Sequence, residues 1–161
     1  MTIKVGDRLP DVTFAVMTDE GPQPKSTGDL FNGKKSVLFG VPGAFTPTCH
    51  KNHLPGYLTH LDALKAKGVD MVAVVAVNDP FVMKAWAEAT GGTGKITFLS
   101  DGSAVFAQAA GLALDLTARG LGIRNQRFSM IVEDGVVKAL NIEEAPGTVD
   151  KTGADTLLKQ L

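Results

Sequence analysis

Cys49 is the only cysteine in the chain, and it closes the stretch Val41-Pro42-Gly43-Ala44-Phe45-Thr46-Pro47-Thr48-Cys49. Thr46 is of the residue type that caps helix N-termini. Pro47 suits the first helical position, where its missing N–H costs nothing and its fixed φ is already helical. That start places Cys49 at the third helical position, near unpaired backbone N–H groups and the positive end of the helix dipole, two features that favour a thiolate over a thiol. Chemistry at sulfur is therefore the first expectation. The bland alternative is a buried small hydrophobe, yet such a residue gains nothing from the first turn of a helix beside a Pro-Gly break. His53 follows four residues later on the same helical face, with its ring leaning toward the cysteine's turn, so a Cys and His dyad for acyl transfer is a rival reading. His50 reads as a solvated or packed neighbour. A second sulfur or a carboxylate at ligand spacing is missing nearby, so no metal site is expected.

The elements that must position this cysteine are legible from the apolar pattern. Ser36 to Val41 is a short apolar run of the kind that forms a buried strand, and Pro42-Gly43 ends it. Before it, residues 1 to 34 carry Pro10, Gly21, Pro22, Pro24 and Gly28 around the alternating stretch Val12–Val16, which reads as one early strand, a loop and a short Asp29-Leu30-Phe31 turn. After it, a helix runs on from Cys49 with a pause at Pro55-Gly56. Leu58, Leu61 and Leu64 keep helical spacing up to Gly68, as on a face packed against a sheet. Val69 to Val77 is nearly all apolar, as expected of a central strand covered on both sides. Asn78 or Asp79 then caps a helix through Thr90.

Gly91-Gly92-Thr93-Gly94-Lys95 is a connecting loop. As a phosphate loop it fails, because the first glycine of that motif falls at Ala89, Ile96 replaces the hydroxyl residue and a strand follows. Ile96 to Leu99 reads as a short strand, Ser103 to Ala110 as a short helix, and Gly111 to Gln126 as irregular or partly helical. Arg127–Val132 and Val136–Leu140 flank Glu133-Asp134-Gly135, whose Asp-Gly pair is a strong hairpin signal. A helix from about Thr152 to Leu161 closes the chain. Parallel units followed by an antiparallel hairpin and a last helix specify an α/β, thioredoxin-like three-layer sandwich with an N-terminal extension.

Composition narrows the function classes. The chain has 161 residues, 44% hydrophobic and 20% charged, with a net charge of -1; these values suit one domain over residues 1–161 with one sizeable core. Lys and Arg are scattered, so neither nucleic acid nor an anionic membrane surface is an expected partner. No apolar run approaches the roughly 20 residues that span a bilayer. The N-terminal MTIKVGDRLPDV carries neither the apolar core of a secretory signal nor the Arg-rich character of a transit peptide. One cysteine allows no internal disulfide and suits a reducing compartment, so a cytoplasmic location is expected.

Pro42-x-x-x-Thr46-x-x-Cys49 resembles the active-site signature of the peroxiredoxins, and the longer PGAFTPTCHKNHLPG is similar to the type II branch that includes peroxiredoxin 5. Asn78 to Trp86, Phe98 to Gly102 and Arg127-Phe128-Ser129-Met130 resemble that branch in the same order, so the likeness covers nearly the whole chain. The resemblance implies a thioredoxin-like fold, a homodimer, and reduction of hydrogen peroxide and alkyl hydroperoxides without a cofactor. At the matched positions Cys49 would attack the peroxide, and Thr46 would offer its hydroxyl to thiolate and peroxide. Arg127 would supply its fork of donors from the start of a hairpin strand beside the Cys49 strand, and Pro42 would shield the sulfur. Arg124 is the neighbour most easily mistaken for Arg127.

Phe45 and Phe128, with His53, are the substrate-binding candidates. Phe81 and Trp86 are further apolar candidates, Trp86 more readily as core. Ionisation alone explains little: complete conversion of an ordinary thiol to thiolate at neutral pH gains at most about 30-fold. Part of that is lost again as nucleophilicity falls, so the rate must come mainly from binding the transition state. Some type II relatives carry a resolving cysteine in the C-terminal region. Here that region reads Glu143-Glu144-Ala145-Pro146-Gly147-Thr148-Val149-Asp150-Lys151-Thr152-Gly153, without sulfur. An external thiol must then restore the enzyme: glutathione with glutaredoxin, or thioredoxin. The non-enzymatic alternative is a redox sensor of the same fold, in which oxidation of Cys49 changes a partner interaction.

Overall fold

Every residue from 1 to 161 is described by the computed structural model, and the chain is organised around a seven-stranded mixed sheet in the order β2-β1-β5-β4-β3-β8-β9. Strands β3 (Lys35–Gly40), β4 (Met71–Ala76) and β5 (Thr97–Ser100) are parallel. β1 (Thr13–Thr18) runs antiparallel beside β5, and β8 (Phe128–Glu133) antiparallel beside β3. β9 (Val136–Ile142) returns from β8 through Asp134-Gly135, both at positive φ (49° and 78°). A two-residue hairpin turn demands that conformation, which is why the Asp-Gly pair stands there.

Because side chains alternate across a strand, the sheet sorts its residues onto two cores. Val37 and Phe39 of β3, with Val72, Val74 and Ala76 of β4, face one side. There they are covered by α2 (Leu54–Thr59), α3 (Leu61–Ala66), α4 (Pro80–Thr90) and α6 (Ala154–Gln160). Leu38, Ala73, Val75, Phe128, Met130 and Val132 face the other, under α1 (Thr27–Phe31), α5 (Val105–Ala109) and the N-terminal Ile3 and Leu9. Two helical layers on one mixed sheet are the thioredoxin-like sandwich expected from the element order. Asp79 caps α4, its Oδ1 accepting from Val82 N–H at 2.9 Å.

Two segments differ from expectation. The loop foreseen after β1 is a strand, β2 (Gly21–Ser26), paired along its length with β1. Its Pro22 and Pro24 hid it; they are tolerated because β2 lies at the sheet edge, where a missing N–H breaks no second ladder. Gly111 to Gln126 is likewise no irregular stretch: β6 (Ala113–Leu116) and β7 (Gly122–Asn125) form a separate two-stranded hairpin around a short helical turn at Thr117–Arg119. Short, half-buried strands of mixed polarity carry little periodic signal.

Candidate active site

β3 ends at Gly40, and the chain crosses the carboxyl end of the parallel strands through Pro42 to Thr46 before turning helical at Pro47. Five residues, Cys49–His53, form a π turn closed by Leu54 N–H on the Cys49 carbonyl. The interruption thus precedes Pro55 instead of falling on it. Pro55 has no N–H for the Lys51 carbonyl and its ring presses on that group, so the turn before it widens. Cys49 and His53 both point inward from this turn and are fully buried.

Strand alternation brings the partner. Gly40 is opposite Phe128 in the β3–β8 pair, and successive residues of β8 alternate between the two cores. Arg127, one residue before β8, therefore points toward the core that holds Cys49. Its Nη2 donates to the Cys49 sulfur at 2.9 Å and to the Pro146 carbonyl at 2.9 Å, its Nε donates to Pro146 at 3.1 Å, and its Nη1 donates to His53 Nδ1 at 2.8 Å. The guanidinium is buried, and the three ion pairs of the chain, Lys4–Asp7, Lys35–Glu133 and Lys151–Glu144, do not involve it. A buried charge needs an anion or a full set of acceptors. Of the groups Arg127 touches, the Cys49 sulfur alone can become anionic, and a charged acceptor strengthens the bond.

His53 cannot serve as the base of a dyad. Its Nε2 lies 2.9 Å from the Thr152 carbonyl, which can only accept, so that nitrogen carries the proton and Nδ1 offers its lone pair to Arg127. Burial, and then the Arg127 charge, lower its pKa to about 3. The ring packs at a tilt against the stacked pair of Phe39 and Tyr57, with centroids at 5.0 and 5.6 Å. Its lone pair is occupied by Arg127 and its proton by Thr152, so His53 is neither a substrate contact nor a general base here. Tyr57 donates to the same Thr152 carbonyl at 2.7 Å, and burial raises its hydroxyl above the usual tyrosine range.

The other candidates separate. Thr46 does precede the helix, but its hydroxyl donates to the Gly43 carbonyl at 2.7 Å instead of capping, and its own carbonyl accepts from His50 N–H at 2.9 Å. The hydroxyl's lone pairs are thus what it can offer an approaching molecule. Pro42 is buried, and Phe45 is 48% exposed, at φ 64°, stacked on His50. Phe128 does not line the sulfur's pocket: the alternation that aims Arg127 at Cys49 turns Phe128 to the opposite core, across Gly40 and against Phe106. Trp86 is core, its Nε1 donating to His50 Nδ1 at 3.1 Å, whereas Phe81 is 66% exposed on α4.

Sequence reasoning named Arg124 only as the neighbour to be told apart from Arg127 and missed its contact to the site: it donates from Nη1 to the Pro42 carbonyl at 3.3 Å and from Nε to Leu121 at 2.7 Å. It also missed the 143–152 segment, whose Pro146 and Thr152 carbonyls orient Arg127 and His53. Backbone acceptors have no residue-type signature, so no local signal pointed to them.

A buried cysteine held by a buried arginine, at the carboxyl end of the parallel strands of a thioredoxin-like sheet, defines a thiol peroxidase. The chain matches the Redoxin family model over residues 4–158. It is 48% identical to Peroxiredoxin-2C of Oryza sativa subsp. japonica, covering 99% of this chain and 98% of that one. Reduced Prx3 of Vibrio vulnificus in complex with hydrogen peroxide superposes with a TM-score of 0.94 at 49% identity, covering 99% of each chain. Peroxiredoxin 5 of Alvinella pompejana gives 0.85 at 36% identity, covering 98% of each. The chain belongs to the peroxiredoxins, of the type II kind in a one-cysteine form, and it is a thiol-dependent peroxidase.

Proposed function

We propose that residues 1–161 act as one catalytic domain in which Cys49 attacks the near oxygen of a hydroperoxide while Arg127 and Thr46 hold it. The observation that carries this reading is the 2.9 Å contact from Arg127 Nη2 to the Cys49 sulfur. A donor already aimed at the sulfur is close to where charge grows on the departing oxygen, and such preorganised donors act mainly on the transition state. The sulfur takes one oxygen and becomes a sulfenic acid as the O–O bond breaks, and the other oxygen leaves as water or an alcohol once protonated. Pro42 shields the sulfur from water, and Phe45 forms the exposed apolar rim that an alkyl group meets.

The reductant is an external thiol. With no second cysteine in the chain, a glutathione thiol condenses with the sulfenic acid, the S–S bond forming as the S–O bond breaks and the hydroxyl leaving as water with the thiol's proton; glutaredoxin or a second glutathione then attacks the mixed disulfide and frees Cys49. Thioredoxin is the alternative donor. The sulfur has no exposed surface, so this step requires the Cys49 turn to open. Phe45 and Phe81 are exposed on segments joined by the Ala44 N–H to Asn78 Oδ1 bond at 2.9 Å, which suits burial in a homodimer. A lone thiol suits the reducing cytoplasm.

Intact-protein mass spectrometry after one equivalent of peroxide, with and without glutathione, tests the route. An adduct of one glutathione per chain, lost in Cys49→Ser, is expected. Efficient recycling by thioredoxin without any such adduct would refute the glutathione step.

A further inference from the structure

Glu143 follows β9 and is only 6% exposed, yet no cation pairs with it. Its carboxylate is instead the centre around which the next nine residues fold. Oε2 accepts from the N–H groups of Asp150 at 2.8 Å, Lys151 at 3.0 Å and Thr152 at 3.1 Å, and from the Thr152 hydroxyl at 2.8 Å; Oε1 accepts from Lys151 N–H at 3.1 Å. Three consecutive backbone donors converge on one side chain, and the last of them, on the fully buried Thr152, would otherwise be left without a partner.

The segment held in this way supplies every acceptor that Arg127 uses apart from the sulfur, either directly or through His53. Pro146, within it, takes two donors of Arg127. Thr152, at its end, takes the His53 Nε2 proton, which leaves Nδ1 as the acceptor for Arg127 Nη1. Glu143 is tied to Arg127 a second way, because its own N–H donates to the Arg127 carbonyl at 2.9 Å. The carboxylate thus holds the loop, the loop holds the two carbonyls, and the carbonyls hold the guanidinium fork on Cys49.

We propose that Glu143 is a positioning residue for peroxide reduction, acting through the Pro146 and Thr152 carbonyls to orient Arg127. This rests on the roles proposed above for Cys49 and Arg127. Glu143 touches neither sulfur nor peroxide. Its effect is on how narrowly the Nη2 donor is aimed, and misplacing a catalytic group by about 1 Å costs on the order of 100-fold in rate.

The test is a double-mutant cycle read as the single-turnover rate constant for oxidation of Cys49 by hydrogen peroxide. Glu143→Ala is expected to lose about 100-fold. Glu143→Gln, which keeps one neutral acceptor oxygen for the donors that meet Oε2, is expected to lose about 10-fold, as when a hydrogen bond to a charged group is weakened. In an Arg127→Lys background, where the fork no longer exists, both substitutions are expected to change the rate by no more than about 2-fold. Leu30→Ala, in α1 under the opposite core, is the control for lost stability and is expected to keep the wild-type rate while folded.

Wild-type rate in Glu143→Ala, or the same loss in both backgrounds, overturns the proposal. Should Glu143→Ala fail to fold, a wild-type rate in Glu143→Gln overturns it equally. Wild-type rate in Arg127→Lys alone overturns the role of Arg127 and with it that of Glu143. A slow Arg127→Lys beside an unimpaired Glu143→Ala overturns only the inference drawn here.

Discussion

Replacing His53 with glutamine should flatten the acid side of the protein's stability profile. The folded protein holds His53 neutral, at a pKa of about 3 against the ordinary histidine value of 6.5. In the unfolded chain the same ring takes up a proton as pH falls through about 6.5. Between those two values the unfolded state binds the extra proton, so stability rises with pH there. The contribution is complete above about 6.5 and is lost progressively down to about 3. Integrated from pH 7 to pH 5, the difference amounts to about 2 kcal/mol. With a urea m-value on the order of 2 kcal/mol/M, the midpoint of the wild-type transition moves by about 1 M over that range.

Asp101 acts in the opposite sense, because burial raises its pKa above the ordinary aspartate value of 3.8. Its stabilising effect is complete below 3.8 and is lost as pH rises through its folded pKa, but it is common to both proteins and cancels in the difference. Urea titrations of wild type and His53→Gln at half-unit steps from pH 7 to 5 therefore isolate His53. Parallel profiles for the two proteins would refute the assignment of a buried, neutral His53 with its Nε2 proton on Thr152.

Thr46→Val should cost on the order of 100-fold in peroxide turnover and Thr46→Ser far less, since the hydroxyl and not the methyl meets Gly43 and, in the proposed mechanism, would meet the peroxide; equal rates in a steady-state assay would leave Thr46 a structural residue. Arg127→Lys should lose on the order of 100-fold despite keeping charge, because an ammonium cannot reach the sulfur, His53 and Pro146 together. Arg124→Lys keeps one of its two carbonyl contacts and should lose about 10-fold or less; the reverse order in kcat/KM would exchange the two roles. Gly40→Ala should destabilise by about 1–3 kcal/mol or more, because the added Cβ runs into the Phe128 ring and β3 cannot shift between β4 and β8. An unchanged urea midpoint would refute that packing.

The strands and helices that carry the site were legible because their signals are local. The apolar runs 36–41 and 69–77, the Asp79-Pro80 helix start and the Asp134-Gly135 turn each appear where the residue pattern puts them. Period-2 patterning in β8 already implies that Arg127 and Phe128 face opposite ways. Assigning both to the sulfur's pocket overlooked that constraint, and the structure turns Phe128 to the other core. β2 was hidden by two prolines that only an edge position makes tolerable.

What Cys49 is able to do follows from its residue type and its place in the first turn of a helix. What holds it ready is tertiary. Thr152 lies 99 residues from His53, and Arg127 lies 78 from Cys49. The buried guanidinium finds its acceptors on the Pro146 carbonyl and on a histidine ring turned by the Thr152 carbonyl, and no residue type at positions 146 or 152 records which way those carbonyls point. Residue types thus determined the reaction, while the direction of those carbonyls, and with it the aim of Arg127, was decided only when β8, the Cys49 turn and the 143–152 segment packed together.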